Sequence, residues 1–175
     1  MNIQLGQYAG FCFGVDRAVN MVEEAAKAGG TVVTLGPIIH NHHVVDRFQR
    51  MGVEVANSPE EVRPGSTVVL RAHGVPRQVE ETLAGLPVQV VDATCPFVKR
   101  IHRLVQEAEA EGRTPVIIGT RTHPEVVGIA SWCRRGMVFE GPEELERWAA
   151  LPETSPGLPI CLVSQKSIIE NLWNL

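Results

Sequence analysis

Val91-Asp92-Ala93-Thr94-Cys95-Pro96-Phe97-Val98-Lys99 is the stretch on which the reading of this chain turns. A run of apolar β-formers, Val88, Val90 and Val91, ends in a small polar turn. A cysteine follows, and a helical pattern then opens with Pro96 in its first turn, where proline's missing N–H is harmless. Cys95 therefore stands between the carboxyl end of a strand and the amino end of a helix. Backbone N–H groups and the helix dipole favour a thiolate there, and α/β proteins place chemistry at such junctions. One such cysteine taken alone reads first as a small buried hydrophobe.

The pattern occurs twice. Gly10-Phe11-Cys12-Phe13-Gly14 is a glycine-flanked turn holding a cysteine. Val15, Ala18, Val19, Val22 and Ala26 then recur at helical spacing until Gly29-Gly30 stops the helix. Behind Cys95 the stripe is Val98, Ile101, Val105 and Ala108, and the stop is Gly112. Asn2 to Leu5 reads as a short first strand ahead of the Cys12 turn.

A second repeat involves histidine. The strands expected at Thr31–Leu35, Thr67–Leu70 and Pro115–Gly119 each run into a turn that carries a histidine and opens a helix: His40, His73 and His123. Imidazolium and helix N–H groups together suit a phosphate or diphosphate. The bland alternative is that each histidine caps its own helix. His42, His43 and His102 lack the equivalent placement and read as surface positions.

Further strands are expected at Val53–Val55, Met137–Phe139 and Ile160–Val163. Helices are expected from Pro76 to about Leu83, from Pro142 to Ala150 and from Ser167 onward, and Ser58-Pro59-Glu60-Glu61 has the form of a capping box. Alternating β and α elements imply parallel sheets. The expected fold is α/β, with two small mainly parallel-sheet αβα domains, 1–92 and 93–175, facing a shared crevice. Cys12, Cys95 and the three histidines would converge there. Thiolates beside an anion site suggest an iron–sulfur cluster next to a phosphorylated ligand, with zinc the competing metal on residue types alone.

Composition narrows the classes. The 175 residues are 44% hydrophobic with a net charge of −4, and Lys and Arg are scattered with few aromatics, so no nucleic-acid surface is expected. No apolar run reaches the roughly 18 residues of a membrane span. The amino end, MNIQLGQYAGF, lacks the basic flank and apolar core of a signal peptide, which points to a cytoplasmic location. Cysteines at 12, 95, 133 and 161 are then expected as ligands, reactive thiols or core residues rather than disulfides, and they show no short zinc spacing. Cys161, inside the run Ile160-Cys161-Leu162-Val163, and Cys133, after Trp132, read as packing.

In order and spacing, GFCFGVDRAV, IIHNHHVVD, AHGV, VDATCPFVKRIH and THPEVVG closely resemble the 4-hydroxy-3-methylbut-2-enyl diphosphate reductase family, IspH/LytB. The resemblance implies a [4Fe–4S] enzyme that ends the non-mevalonate isoprenoid pathway. It would reductively remove the allylic hydroxyl of its substrate to give isopentenyl and dimethylallyl diphosphates. It further implies that Cys12 and Cys95 are two of three cluster ligands and that His40, His73 and His123 bind the diphosphate. Glu125 matches the acid that relays protons to the substrate hydroxyl; on residues alone it is a first-turn glutamate favoured by the helix dipole. A ferredoxin or flavodoxin is the implied electron donor.

Two departures from the family pattern stand out. The family's third, pseudo-symmetric domain carries the third ligand cysteine and a Ser-x-Asn motif, and this chain stops before both, so a separate third domain is a possible partner. Ser164-Gln165-Lys166-Ser167 stands where the family has Gln-Thr-Thr. Gln165 and Ser167 are the expected substrate contacts there, and Lys166 takes a threonine position. Two other readings are a non-catalytic cluster- or diphosphate-binding sensor or carrier of the same fold, and a zinc- or thiol-dependent phosphohydrolase.

Overall fold

The computed structural model describes residues 3, 4, 6, 9–151, 154 and 157–166. Helix α1 (Phe13–Ala28) precedes β1 (Val32–Leu35), and α2 (His42–Arg50), β2 (Glu54–Ala56), β3 (Thr67–Leu70), α3 (Arg77–Ala84) and β4 (Gln89–Asp92) follow. Then come α4 (Pro96–Ala110), β5 (Thr114–Ile118), α5 (Pro124–Ser131), β6 (Met137–Phe139), α6 (Pro142–Ala149) and β7 (Ile160–Ser164). Among the described residues there are two all-parallel sheets, ordered β2-β1-β3-β4 and β6-β5-β7.

Why the first sheet forms is visible in β3. Val69 enters one core, with Ala18, Val19 and Val22 of α1 and Val44 and Phe48 of α2. Val68 and Leu70 point the other way, toward Val75 in the turn beyond β3 and Leu83 of α3. A parallel strand covered on both faces must be apolar at every position, as Val68-Val69-Leu70 is. Fully burying each such side chain stabilises the fold by roughly 1.5–3 kcal/mol. A third core joins the second sheet to α4 and α5 through Val105, Ile117, Val126, Ile129 and Val163.

All sheet strands therefore aim their carboxyl ends at turns, and it is these turns that carry the histidines and Cys95. No helix among the described residues is long and apolar enough to cross a membrane.

Four expectations are corrected or fall away. The capping box does not form: Ser58 makes no side-chain cap, and Glu61 instead accepts the N–H of Asn57 at 2.8 Å, holding the turn one residue earlier. His102 is not at the surface but only 5% exposed, because its place on α4 lies in the same stripe as Val98 and Val105. The strand expected at Asn2–Leu5 rests on positions partly outside the described residues, and Ile3 and Gln4 are not in a strand. The helix expected from Ser167 lies outside the described residues altogether.

Candidate functional site

Backbone hydrogen bonds lace neighbouring turns together. The N–H of Ala72, beyond β3, donates to the carbonyl of Ile38, beyond β1, at 3.1 Å. The N–H of Cys95, beyond β4, donates to the carbonyl of Ala72 at 2.8 Å. His40, His73 and Cys95 are thereby carried on adjoining loops. Gly36 makes the tight exit from β1 with φ of 72°, and a Cβ there would meet the Arg71 guanidinium at 3.0 Å. In the second sheet the N–H of Gln165 donates to Ile118 at 2.8 Å, setting the end of β7 beside the turn that leads to His123.

The three histidines meet. The rings of His40 and His73 stack with centroids 4.8 Å apart, and His123 stands 5.8 Å from His40 and 6.2 Å from His73. Burial drives the pKa of His73 down to about 3, helped by the positive charge of Arg71 and by its two histidine neighbours. Its Nε2 is buried and has no hydrogen-bond partner among the described residues. His123 is lowered too, by burial first and then by His40 and Arg71. His73 and His123 are thus neutral imidazoles at neutral pH, not the imidazolium groups expected from the sequence. An incoming anion would reverse the balance, favouring N–H donors and protonation.

His123 has two duties. Its Nδ1 accepts the backbone N–H of Glu125 at 3.1 Å, capping α5. With Nδ1 an acceptor, the neutral ring carries its proton on Nε2 and keeps a donor. His40 and His73 do not cap in this way: Asn41 caps α2 through Val44, and Pro76 precedes α3. The capping alternative therefore holds for one histidine of the three.

A cavity of about 420 Å³ opens beside the cluster, lined by Cys12, Cys95, His40, His73, Glu125 and Lys166 among others. Cys12 and Cys95 occupy matching places, as the N-cap residues of α1 and α4. Cys95 is buried and Cys12 exposed. Gly14 packs directly on Cys95; a Cβ at position 14 would lie 2.5 Å from its sulfur. Arg17, one turn into α1, donates to the carbonyls of Thr94 at 3.3 Å and Asp92 at 3.4 Å, tying α1 to the Cys95 turn. Asp92 holds the same turn from below by accepting the N–H of Thr94 at 2.9 Å, and it pairs with Lys99.

Glu125 is only 4% exposed, and burial raises its carboxyl pKa, an effect that Lys166 partly offsets. Its Oε1 accepts the backbone N–H of Lys166 at 2.7 Å. The Lys166 ammonium reaches 4.0 Å from the sulfur of Cys12 and 5.3 Å from the centre of the Phe97 ring. Gln165 is buried, and its Oε1 accepts the N–H of Thr120 at 3.1 Å. Ser167 lies outside the described residues. Cys133 and Cys161 both pack in the core of the second sheet, and burial pushes the Cys133 thiol up to about 11.

With this geometry in hand, comparison with known proteins is decisive. The family model described as LytB protein matches residues 3–173. The chain belongs to the LytB family. It is 43% identical over 150 residues to the 4-hydroxy-3-methylbut-2-enyl diphosphate reductase of Aquifex aeolicus, covering 83% of this chain and 52% of that protein. To the reductase of the same name from Clostridioides difficile it is 35% identical over 175 residues, covering 99% of this chain and 61% of the relative. A solved structure of (E)-4-hydroxy-3-methyl-but-2-enyl diphosphate reductase, titled the terminal enzyme of the non-mevalonate pathway, superposes with a TM-score of 0.78 at 37% identity, over 97% of this chain and 61% of that one. The Plasmodium falciparum reductase superposes with a TM-score of 0.83 at 26% identity, over 96% of this chain and 55% of that one. The chain spans between about half and three fifths of the length of these relatives.

Within this LytB chain the structure adds one residue that sequence reading overlooked. Arg71 is half-buried beside the histidines, its Nε donates to the carbonyl of Gly74 at 2.9 Å, and burial lowers its pKa. Its signal was its place at the end of β3, two residues before His73.

Proposed function

We propose that this chain supplies the diphosphate cradle, the proton donor and two cluster ligands for reductive dehydroxylation of 4-hydroxy-3-methylbut-2-enyl diphosphate to isopentenyl and dimethylallyl diphosphates. The observation that carries this reading is the meeting of three histidine rings at the edge of a cavity shared by Cys12, Cys95 and Glu125.

The roles follow from chemistry. His73, with a buried and unpartnered Nε2, and His123, with its donor on Nε2, suit the oxygens of a diphosphate. Arg71 adds positive charge behind them. Glu125 is held by the Lys166 N–H and has its proton affinity raised by burial, so it stays protonated at higher pH than an exposed glutamate. It can then deliver a proton to the departing hydroxyl, which leaves as water, while two electrons from the external donor and a second proton, taken up at an allylic carbon, complete the product.

Cys12 and Cys95 fit an iron–sulfur cluster as two thiolate ligands on one cavity wall, each at a helix amino end. Among the described residues, which include all four cysteines of the chain, no group of three or more His, Cys, Asp or Glu side chains is arranged to hold a metal ion, so the third ligand of the family pattern would come from a separate third domain. When bound, a [4Fe–4S] cluster supplies electrons and a Lewis-acidic iron for cleavage of the C–O bond. A ferredoxin or flavodoxin is the class of protein that would recharge it, and the reducing cytoplasm, where such thiolates persist, is the compartment assigned to it. Residues 1–92 and 93–175 would act as two domains closing on the substrate from either side.

This portion alone is expected to turn over little or not at all, so the test is product analysis after anaerobic reconstitution together with the missing third-domain segment of a reductase relative, supplied as a separate chain, with the allylic diphosphate and a low-potential electron donor. Both diphosphate products should form, and Glu125→Gln should lower turnover by about 100-fold or more, the usual weight of a general acid. Unchanged turnover in Glu125→Gln, or failure of the reconstituted protein to yield either product, would overturn the proposal.

A further inference from the structure

Lys166 is exposed on the wall of the cavity, and its geometry gives its charge a consequence. The residue leaves the end of β7 with its backbone N–H on Glu125, at 2.7 Å. Its side chain then spans the mouth of the cavity to Cys12, at the start of α1, and to Phe97, in the first turn of α4. One side chain so links three elements across the opening.

The ammonium has no ion-pair partner among the described residues. The nearest sulfur is 4.0 Å away, and Phe97 provides a cation–π contact at 5.3 Å. Glu125, the carboxyl group its backbone holds, has its pKa raised and so gives up part of its compensating charge. The amino ends of α1 and α4, of 16 and 15 residues, add positive helix-end potential on the same cavity. A cavity of about 420 Å³ is narrower than a Debye length of about 8–10 Å, so any anion inside it feels this charge with little screening.

We infer that Lys166 is a specificity-determining residue of this site, a fixed cation that makes its cavity prefer a highly charged anion such as a diphosphate over a singly charged one. The inference rests on the reading of the histidine cluster as a diphosphate cradle and deepens it. Position 166 thereby acts twice: the backbone orients the proton donor, and the side chain raises the affinity for the substrate's charged end. The backbone duty survives substitution; the electrostatic one does not.

The experiment is calorimetric titration of the protein with inorganic pyrophosphate and with inorganic phosphate, at low and at moderate salt. Parent, Lys166→Thr, Lys166→Met and Lys166→Arg are compared, with His73→Ala alongside. Losing the charge in Lys166→Thr and Lys166→Met should weaken pyrophosphate binding by about tenfold, the order expected for one unit charge in a partly enclosed site, and should flatten its salt dependence. Phosphate binding should weaken less, and Lys166→Arg should stay near the parent. Because Lys166 is exposed, its variants should melt with the parent, so a loss of binding is not a loss of fold.

The outcomes separate the two ideas. Lys166→Thr binding pyrophosphate within twofold of the parent while His73→Ala fails to bind would overturn the role of Lys166 and leave the cradle standing. The reverse pattern would keep the Lys166 cation and remove the anion from the histidines. A parent that binds no pyrophosphate would overturn both.

Discussion

Cys12 and Cys95 are the same motif in two settings. Each is an N-cap residue in extended backbone at the start of a long amphipathic helix, and each lines the same cavity. Yet Cys95 is 4% exposed and Cys12 is open to solvent. Cys95 follows β4, so its N–H is bonded to the neighbouring turn and Gly14 closes over its sulfur. Cys12 begins its helix without a strand among the described residues to fix it, and what reaches it from across the cavity is Lys166. The difference teaches that a helix start offers a place for a thiolate, while its rigidity comes from the sheet behind it. One ligand is built into the fold and the other is added at its edge.

The sharpest way to test this contrast is to disturb the sealed side through His102. It lies two turns beyond Cys95 on α4, stacks on Trp132 with ring centroids 5.4 Å apart, and lies so near Gly74 that a Cβ there would come within 3.1 Å of its ring. His102→Ala should cost about 2–4 kcal/mol, as truncation of a packed core ring does, seen as a lower denaturant midpoint. His43→Ala, at an exposed position, should stay within about 0.5 kcal/mol of the parent.

Gly14→Ala comes next. The new methyl would lie 2.5 Å from the Cys95 sulfur, so α1 or the cysteine must move. Overpacking of this kind costs about 1–3 kcal/mol, whereas Cys12→Ser on the open side should cost less than about 0.5 kcal/mol. Equal losses from the two substitutions would erase the distinction between sealed and open.

Acid should act on the sealed side as well. His102 is held at about 4 and His73 at about 3, chiefly by burial, against an ordinary value of 6.5. The unfolded chain then binds more protons than the folded one, so their contribution is complete above pH 6.5 and declines as pH falls from there toward 4. For His102 alone the loss over that window should be on the order of 2 kcal/mol, measured as a flatter pH dependence of the melting temperature in His102→Gln.

The smallest effect concerns the brace beneath the Cys95 turn. Lys99→Ala removes the partner of Asp92, a carboxylate that burial pushes up but that the hydrogen bonds it accepts from Lys99 and Thr94 bring below its usual pKa. Both side chains are partly exposed, so the stability change should be under about 1 kcal/mol in a denaturant titration.

Much of this was legible in the sequence. Val68-Val69-Leu70 and the stripes behind each cysteine announced a doubly covered parallel sheet, and the histidine turns fell at strand ends where α/β sites form. The burial of His102 has a signal too: residues 95, 98, 102 and 105 share one helical stripe, and that spacing outweighs the polarity of one member. Ser58 failed as a cap because the pattern fixes residue types, not which backbone N–H the nearby glutamate reaches. Nothing in the sequence could bring Lys166 to Cys12, or Arg71 toward His123, because those meetings depend on how the two sheets face each other. The neutral state of His73 is likewise a product of burial, which a turn sequence does not reveal.

One measurement bears most directly on the two-cysteine account: iron and acid-labile sulfide per chain after anaerobic reconstitution, in the parent, Cys12→Ser, Cys95→Ser and Cys133→Ser. The parent and Cys133→Ser should hold iron and sulfide alike, and both ligand variants should lose about tenfold or more in metal affinity. Iron retained at the parent's level in either Cys12→Ser or Cys95→Ser would contradict the assignment of both thiols to one cluster.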